Sequence, residues 1–263
     1  MTDRISIIIP ILNEAETIGQ LIHYLSENTT EENIAEIIIV DGGSTDGSFD
    51  IVSAYIEKDS NLPKSFLNAE SDTLNFEKSS KKQSKSVPEL NLVSSEKGRA
   101  KQMNNGVKHA SGHILYFLHA DSFPPKNFDN LIISEVNKGN LAGCFRLQFE
   151  SNHWWLRLAS WLTQFTWRAC RGGDQSQFIT KALFESIGGY DETYTIYEDN
   201  ILINELYARN EFTVINKKLK TSARRYEKKG VWRLQYHFWT IYVKKWFGAS
   251  ADELYAYYKK NIN

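Results

Sequence analysis

Two short runs near the N-terminus, Ile5 to Pro10 (ISIIIP) and Ile34 to Asp41 (IAEIIIVD), are almost continuously apolar and rich in β-branched residues. A strand with one wet face alternates apolar and polar positions, so uninterrupted runs of this kind predict parallel strands covered on both faces. A helical period follows each run. Ile18, Leu21, Ile22 and Leu25 recur at helical spacing after the first, and Phe49, Val52 and Ile56 do so after the second, where Thr45 or Asp46 can cap the helix. Strand, helix, strand, helix means βαβ units and a parallel sheet.

The period is lost over 57–89, a stretch rich in Ser, Lys and acids that reads as a mobile insertion. It returns with Leu90 to Ser95 as a third strand, a helix opening at Gly98 (GRAKQMNNGVKHA), HILYFLHAD as a fourth strand, and Gly143 to Glu150 as a later one. An aromatic helix near His153 to Trp167, a loop RACRGGDQS, a short strand and helix in QFITKALFESIGGYD, the acidic YEDN and a helix from Asn200 to Arg209 follow. The expected organisation is an α/β domain over 1–216 and a basic, aromatic helical extension over 217–263.

Composition narrows the class. At 263 residues with 41% apolar and 13% aromatic content, the chain has ample material for a buried core. The N-terminus lacks a secretory signal and no long window is uninterruptedly apolar, so a cytoplasmic protein is expected. Cys144 and Cys170 do not form a CxxC pair, which predicts reduced thiols rather than a zinc knuckle or redox dithiol. The net charge of -1 conceals asymmetry: about ten Lys and Arg lie between Lys217 and Lys245 against the single acid Glu227. Such a patch attracts nucleic acid, anionic lipid or a phosphorylated small molecule alike, so local chemistry must choose among them.

Ligands of an open parallel sheet bind beyond the carboxyl ends of its strands. The first strand delivers Pro10, Asn13 and Glu14 there; the second delivers Asp41 in DGGSTDG, the third precedes Arg99, and the fourth delivers His119 and Asp121. DGGSTDG is neither a GxGxxG nor a calcium loop, which argues against a dinucleotide-binding dehydrogenase. His119 and Asp121, one residue apart, would share a face in extended backbone and could hold a divalent ion completed by a diphosphate. The alternative keeps His119 as a hydrogen-bonded strand residue and leaves Asp121 to bind alone. In YEDN, Glu198 and Asp199 open a helix, either as caps favoured by its dipole or with one of them as a general base.

In family order, SIIIPILNE, IIIVDGGSTDG, GRAKQMNNG, YFLHAD, GGDQSQFITKALFESIGGYDE and YEDN resemble the family 2 glycosyltransferases, and HAD, GDQ and TSARRYEKKG resemble a small bacterial branch. The resemblance implies a GT-A type, Rossmann-like, mostly parallel sheet flanked by helices, with a helical C-terminal extension. It implies inverting transfer of a sugar from a nucleoside-diphosphate sugar, a UDP-sugar in the first instance, to an acceptor hydroxyl, assisted by Mn2+ or Mg2+. Pro10, Asn13, Glu14 and Asp41 would surround the nucleoside, Arg99 would lie near the base or phosphates, Asp121 would match the last acid of a DxD-type motif, and Asp199 would be the base. Gly42 and His119 stand where the family more often has acids.

Asp174 and Gln175 of GGDQ would face the donor sugar and acceptor, and Arg224 and Arg225 offer guanidinium forks to the diphosphate or form a solvated basic face. Trp232, Trp239 and Trp246 recur every seven residues beside Arg233, Lys244 and Lys245, a stripe for core or dimer packing, or for peripheral contact with a membrane at its inner face where a lipid-linked acceptor is met. Nucleic acid is not an expected partner, and a homodimer is allowed. The alternatives to glycosyl transfer are a nucleotidyltransferase, for which no glycine-rich triphosphate loop is found, and a non-catalytic sugar-nucleotide-binding protein.

Overall fold

A computed structural model describes residues 3–60 and 88–262. Eight strands, β1 (Ile5–Ile11), β2 (Ile34–Asp41), β3 (Leu90–Ser94), β4 (Ile114–Phe117), β5 (Ser122–Phe123), β6 (Ala142–Phe149), β7 (Gln177–Thr180) and β8 (Thr213–Thr221), form one sheet in the order β3-β2-β1-β4-β7-β6-β8-β5. The first four in this order pair in parallel; β7 then runs antiparallel to both β4 and β6, β6 and β8 are parallel, and β5 is antiparallel to β8. The sheet is parallel where the apolar runs are continuous and mixed beyond them.

Helices cover both faces of the parallel half, as its unbroken apolar strands require. Ile7, Ile9, Ile37, Ile39 and Tyr116 join Ile18, Leu21 and Leu25 of α1 (Ile18–Asn28) and Phe128 and Ile132 of α4 (Phe128–Asn137) in one core. Ile8, Ile38, Val40, Leu115 and Phe117, pointing the other way, pack on Ala100, Met103 and Val107 of α3 (Arg99–His109) and on Leu202 and Leu206 of α7 (Glu198–Ala208). α2 (Ser48–Ser60), α5 (Trp154–Leu162) and α6 (Lys181–Ile187) complete the domain.

Two sequence boundaries move. Helix α2 runs on to Ser60, past the expected start of the insertion, and the rest of that insertion up to residue 87 lies outside the described residues. Position 217 falls inside β8, so the extension begins only with α8 (Arg224–Lys229), α9 (Val231–Trp246) and α10 (Ala251–Asn261). Leu234, Ile241, Leu254 and Ile262 give these last helices a small core of their own. Ser250 caps α10 in a reciprocal box, donating its backbone N–H to Glu253 at 2.8 Å and accepting that of Glu253 at 3.2 Å.

Candidate functional site

The parallel register brings Ile11 level with Asp41 and Asp41 level with Ser94, so three strand ends meet at one edge. The loops that leave them are laced together. Asp41 accepts the backbone N–H groups of Gly43 at 3.1 Å and of Ser44 at 3.1 and 3.2 Å. Asn13, at φ 58°, accepts the Thr45 N–H at 2.8 Å and donates its own to Ser44 Oγ at 3.0 Å. Glu14 donates to Ser48 Oγ at 2.8 Å and Ala15 to Asp46 at 3.0 Å. Hydrogen bonds from Ser48 and Ala15 lower the Asp46 pKa, keeping the clasp ionised. Ser44, Asp46 and Ser48 were not among the expected site residues, although their close spacing behind Asp41 is visible in DGGSTDGS.

Beneath this edge, buried Gln102 donates to Ile11 O at 2.7 Å and Val40 O at 2.8 Å, tying β1 to β2. A Cβ on Gly42 would come 2.9 Å from the Gln102 carboxamide carbon. A glycine therefore stands where the related pattern carries an acid because the space is filled by Gln102.

The second half of the site assembles around α7. Tyr197, at φ 73°, turns the chain into the helix, and Glu198 and Asp199 occupy its first turn, where the dipole favours carboxylates. Arg99 bridges them, hydrogen-bonding Glu198 and lying 3.0 Å from Asp199 Oδ2. Burial alone would lower the pKa of Arg99, but Asp199 and Glu198 outweigh it and raise it. Burial pushes the Glu198 carboxyl up despite Arg99, and its Oε2 has no hydrogen-bond partner among the described residues. Asp199 is less enclosed, at 5% exposure, and its Oδ2 sits where a Cβ on Gly173 would be only 1.8 Å away. Only a glycine admits that approach, which is the physical content of GGDQ. The buried Tyr190 hydroxyl, also without a partner among the described residues, lies in the same field, its pKa raised by burial, Asp199 and Glu198.

Strand β4 ends at Phe117, so His119 and Asp121 lie in the loop beyond it rather than on one extended face. His119 Nε2 is 2.7 Å from Gly173 O. A carbonyl can only accept, so Nε2 carries the hydrogen and Nδ1 keeps the lone pair. Burial, then Arg99, lower the His119 pKa to about 4, which leaves the ring neutral near pH 7. A neutral imidazole whose second nitrogen is fixed by a backbone carbonyl is the form in which histidine ligates metals, and Asp121 beside it adds a hard oxygen. Among the described residues no group of three His, Cys, Asp or Glu could hold a metal ion by itself, so His119 and Asp121 could supply at most two ligands and the rest would have to come from a bound molecule.

Pairing of β5 with β8 brings the C-terminal segment to this loop, with Ser222 N–H donating to Asp121 O at 3.3 Å. Arg224 hydrogen-bonds Glu14 and stands 3.7 Å from Glu16, so the first and last parts of the site are in contact. Arg225 does not join them. Its guanidinium bonds the Tyr258 hydroxyl and lies over the rings of Tyr258 and Phe238, at 5.3 and 5.9 Å, in the C-terminal helices.

The two residues of GDQ also diverge. Asp174 stands at the solvent edge of its turn, yet the protein around it, with burial the main cause, raises its carboxyl to about 6. Gln175 is buried and turned inward, donating to Cys170 O at 2.6 Å and accepting from Arg171 at 2.7 Å. Arg171, absent from the sequence expectations, is the buried hub of this loop and also donates to Thr163 O at 2.6 Å and Phe165 O at 2.7 Å.

Comparison with known proteins agrees with this architecture. The family model for glycosyl transferase family 2 matches residues 6–65 and 71–203, which takes in every candidate residue except Arg224 and Arg225. A glycosyltransferase of Haloferax volcanii, AglE, is 27% identical over 133 residues, 51% of this chain and 35% of its own length. The chain thus spans about a third of that curated relative. Among solved structures, the mannosyltransferase PcManGT of Pyrobaculum calidifontis, in complex with GDP-Man and Mn2+, superposes over 98% of this chain and 70% of its own, with a TM-score of 0.66 and 17% identity. TarS of S. aureus in complex with UDP covers 84% of this chain and 60% of its own, with a TM-score of 0.60 and 16% identity. These neighbours share the GT-A type fold, and with the family model matching well over half of its residues the chain belongs to glycosyl transferase family 2.

Proposed function

We propose that the protein transfers a glycosyl group from a nucleoside-diphosphate sugar to an acceptor hydroxyl with inversion at the anomeric carbon. The observation that carries this reading is the Arg99–Glu198–Asp199 cluster pressed against Gly173, beside His119 and across from the laced ends of β1 and β2. The nucleoside would occupy the edge formed by Pro10, Asn13, Glu14 and Asp41. Solved relatives hold UDP or GDP-Man, and a uridine donor is the first to try.

Asp199 is the base of this reaction. One oxygen faces Arg99 and leaves the other to accept the acceptor's proton, while Glu198, enclosed and tied to the same guanidinium, fixes the position of Arg99. Arg224 supplies positive charge to the diphosphate once it exchanges Glu14 for phosphate oxygens. Asp121 and His119 would hold a divalent ion, which when bound neutralises charge on the leaving diphosphate. Asp174 would meet sugar or acceptor hydroxyls at the open side of the cleft.

The test separates binding from chemistry. Thermal shifts with UDP and GDP, with and without Mn2+ or Mg2+, should register a stabilising nucleotide, since a bound ligand stabilises by mass action. Asp199→Asn should keep that shift and lose transfer by about 100-fold or more. Transfer at the parental rate by this variant would remove Asp199 from its role, and release of pyrophosphate from a nucleoside triphosphate and a sugar phosphate would point to a nucleotidyltransferase.

A further inference from the structure

All seven tryptophans of the chain fall on α5, on α9 or in the loop that follows α5. The stripe of α9 is not core: Trp232, Trp239 and Trp246 are 49%, 47% and 85% exposed. It is joined by α5, which the sequence pattern did not connect to it. Trp155 packs on Trp232 and Trp239 at 5.5 and 5.7 Å, and its indole N–H donates to Gln235 at 3.0 Å. Trp161, Phe165 and Trp167 then continue the surface at 5.2 and 4.8 Å spacings toward the turn that carries Gly173. On the other flank, Tyr242 of α9 meets Tyr197, the residue that turns the chain into α7, at 5.3 Å. The aromatic face thus adjoins the candidate site at Tyr197, the residue just before Glu198 and Asp199.

We propose that this face seats on the surface of an anionic lipid bilayer. Exposed apolar patches of this extent are rare on proteins that stay in water, and tryptophan favours the zone between headgroups and acyl chains. Charge selects the occupant. Arg157 of α5 and Arg233 of α9 stand beside these aromatics and neither helix carries an Asp or Glu, while Lys244 and Lys245 of α9 turn away onto the rings of Tyr257 and Tyr194. Two copies pairing through this face would bring like charges together, whereas anionic headgroups would be attracted. Among the described residues no helix is long and apolar enough to cross a membrane, so the contact lies in the interface plane. The inference does not depend on the glycosyl-transfer reading.

The experiment uses the full chain with vesicles of phosphatidylcholine alone or mixed with phosphatidylglycerol. Flotation should occur with the anionic vesicles and weaken with salt, and tryptophan emission should shift to the blue, because no tryptophan lies elsewhere to mask it. Trp246→Ala with Phe247→Ala, at positions 85% and 82% exposed and so free of folding constraints, should lower partitioning about tenfold. Arg157→Glu with Arg233→Glu should do so by at least as much. Absence of flotation, or flotation indifferent to both pairs of substitutions, overturns the proposal. So does a dimer by light scattering that the Trp246 and Phe247 substitutions dissolve. Nucleotide-dependent thermal shifts on the same samples report separately on the donor site: flotation without a shift keeps the membrane surface and removes the proposed function.

Discussion

Arg99 and Asp199 meet at 3.0 Å, one from the first residue of α3 and the other from the first turn of α7. Arg99 serves both acids, and part of its side chain stays in water, so solvent screens the cluster without dissolving it. Arg99→Ala should destabilise the fold by about 1–3 kcal/mol, below the cost of breaking a fully buried pair. The pH dependence has a definite sign. Burial already raises Glu198, and loss of the cation raises it further; a raised carboxyl is harmless while protonated at low pH and costs stability as pH climbs through its folded value. The gap in Tm between parent and variant should therefore widen from pH 4 to pH 8, and a constant gap would show that charge is not the cause.

Asp174 gives a second pH signature. Its carboxyl is raised to about 6 from an ordinary value near 4, so its contribution favours the fold below pH 4 and is lost as pH rises through 6. Asp174→Asn removes that titration. Urea denaturation should find the variant gaining on the parent between pH 4 and pH 7, by less than about 1 kcal/mol because water at the edge of the turn damps the effect.

Gly42 and Gln102 form a coupled pair. Gly42→Ala presses on a carboxamide held by two strand carbonyls and should cost about 1–3 kcal/mol. Combining it with Gln102→Ala should cost less than the sum of the two single changes. Strict additivity in a double-mutant cycle would mean that the two side chains do not compete for one space.

Arg224 and Arg225, adjacent in sequence, should separate cleanly. Arg224→Ala should weaken nucleoside-diphosphate binding about tenfold, since a charged hydrogen bond to phosphate is lost. Arg225→Ala should leave that affinity unchanged and lower Tm by a few degrees through its aromatic contacts in the C-terminal helices. Calorimetric titration of both variants with UDP and GDP checks the contrast.

What the sequence made legible follows from physical range. Ile5 to Pro10 and Ile34 to Asp41 announce their strands because burial on both faces writes itself into every residue of the run. Strand ends follow from strands, so Asn13, Asp41 and Asp121 could be placed near a common edge in advance. Side-chain direction could not. Arg225 beside Arg224, and Gln175 beside Asp174, point away from their neighbours for reasons set by α10 and by Arg171, contacts remote or unforeseen in the chain. The pairing of Arg99 with Glu198 and Asp199 is likewise invisible until α3 and α7 pack on the same face of the sheet. His119 was read as extended and lies instead in a loop, because β4 stops at Phe117.

The two-residue strand β5 governs how this protein can be cut. Because Ser122 and Phe123 lie along Thr221 and Lys220, β8, the last in chain order of the strands among the described residues, is an interior plank of the sheet with a neighbour on each side. A shortened chain that stops before residue 213 would strip hydrogen bonds from β6 on one side and β5 on the other, while carrying off Arg224. The C-terminal quarter is therefore no detachable handle: a fragment that keeps the sheet whole has to reach through β8, and nascent chains should leave β5 and β6 unpaired along that edge until the strand has left the ribosome.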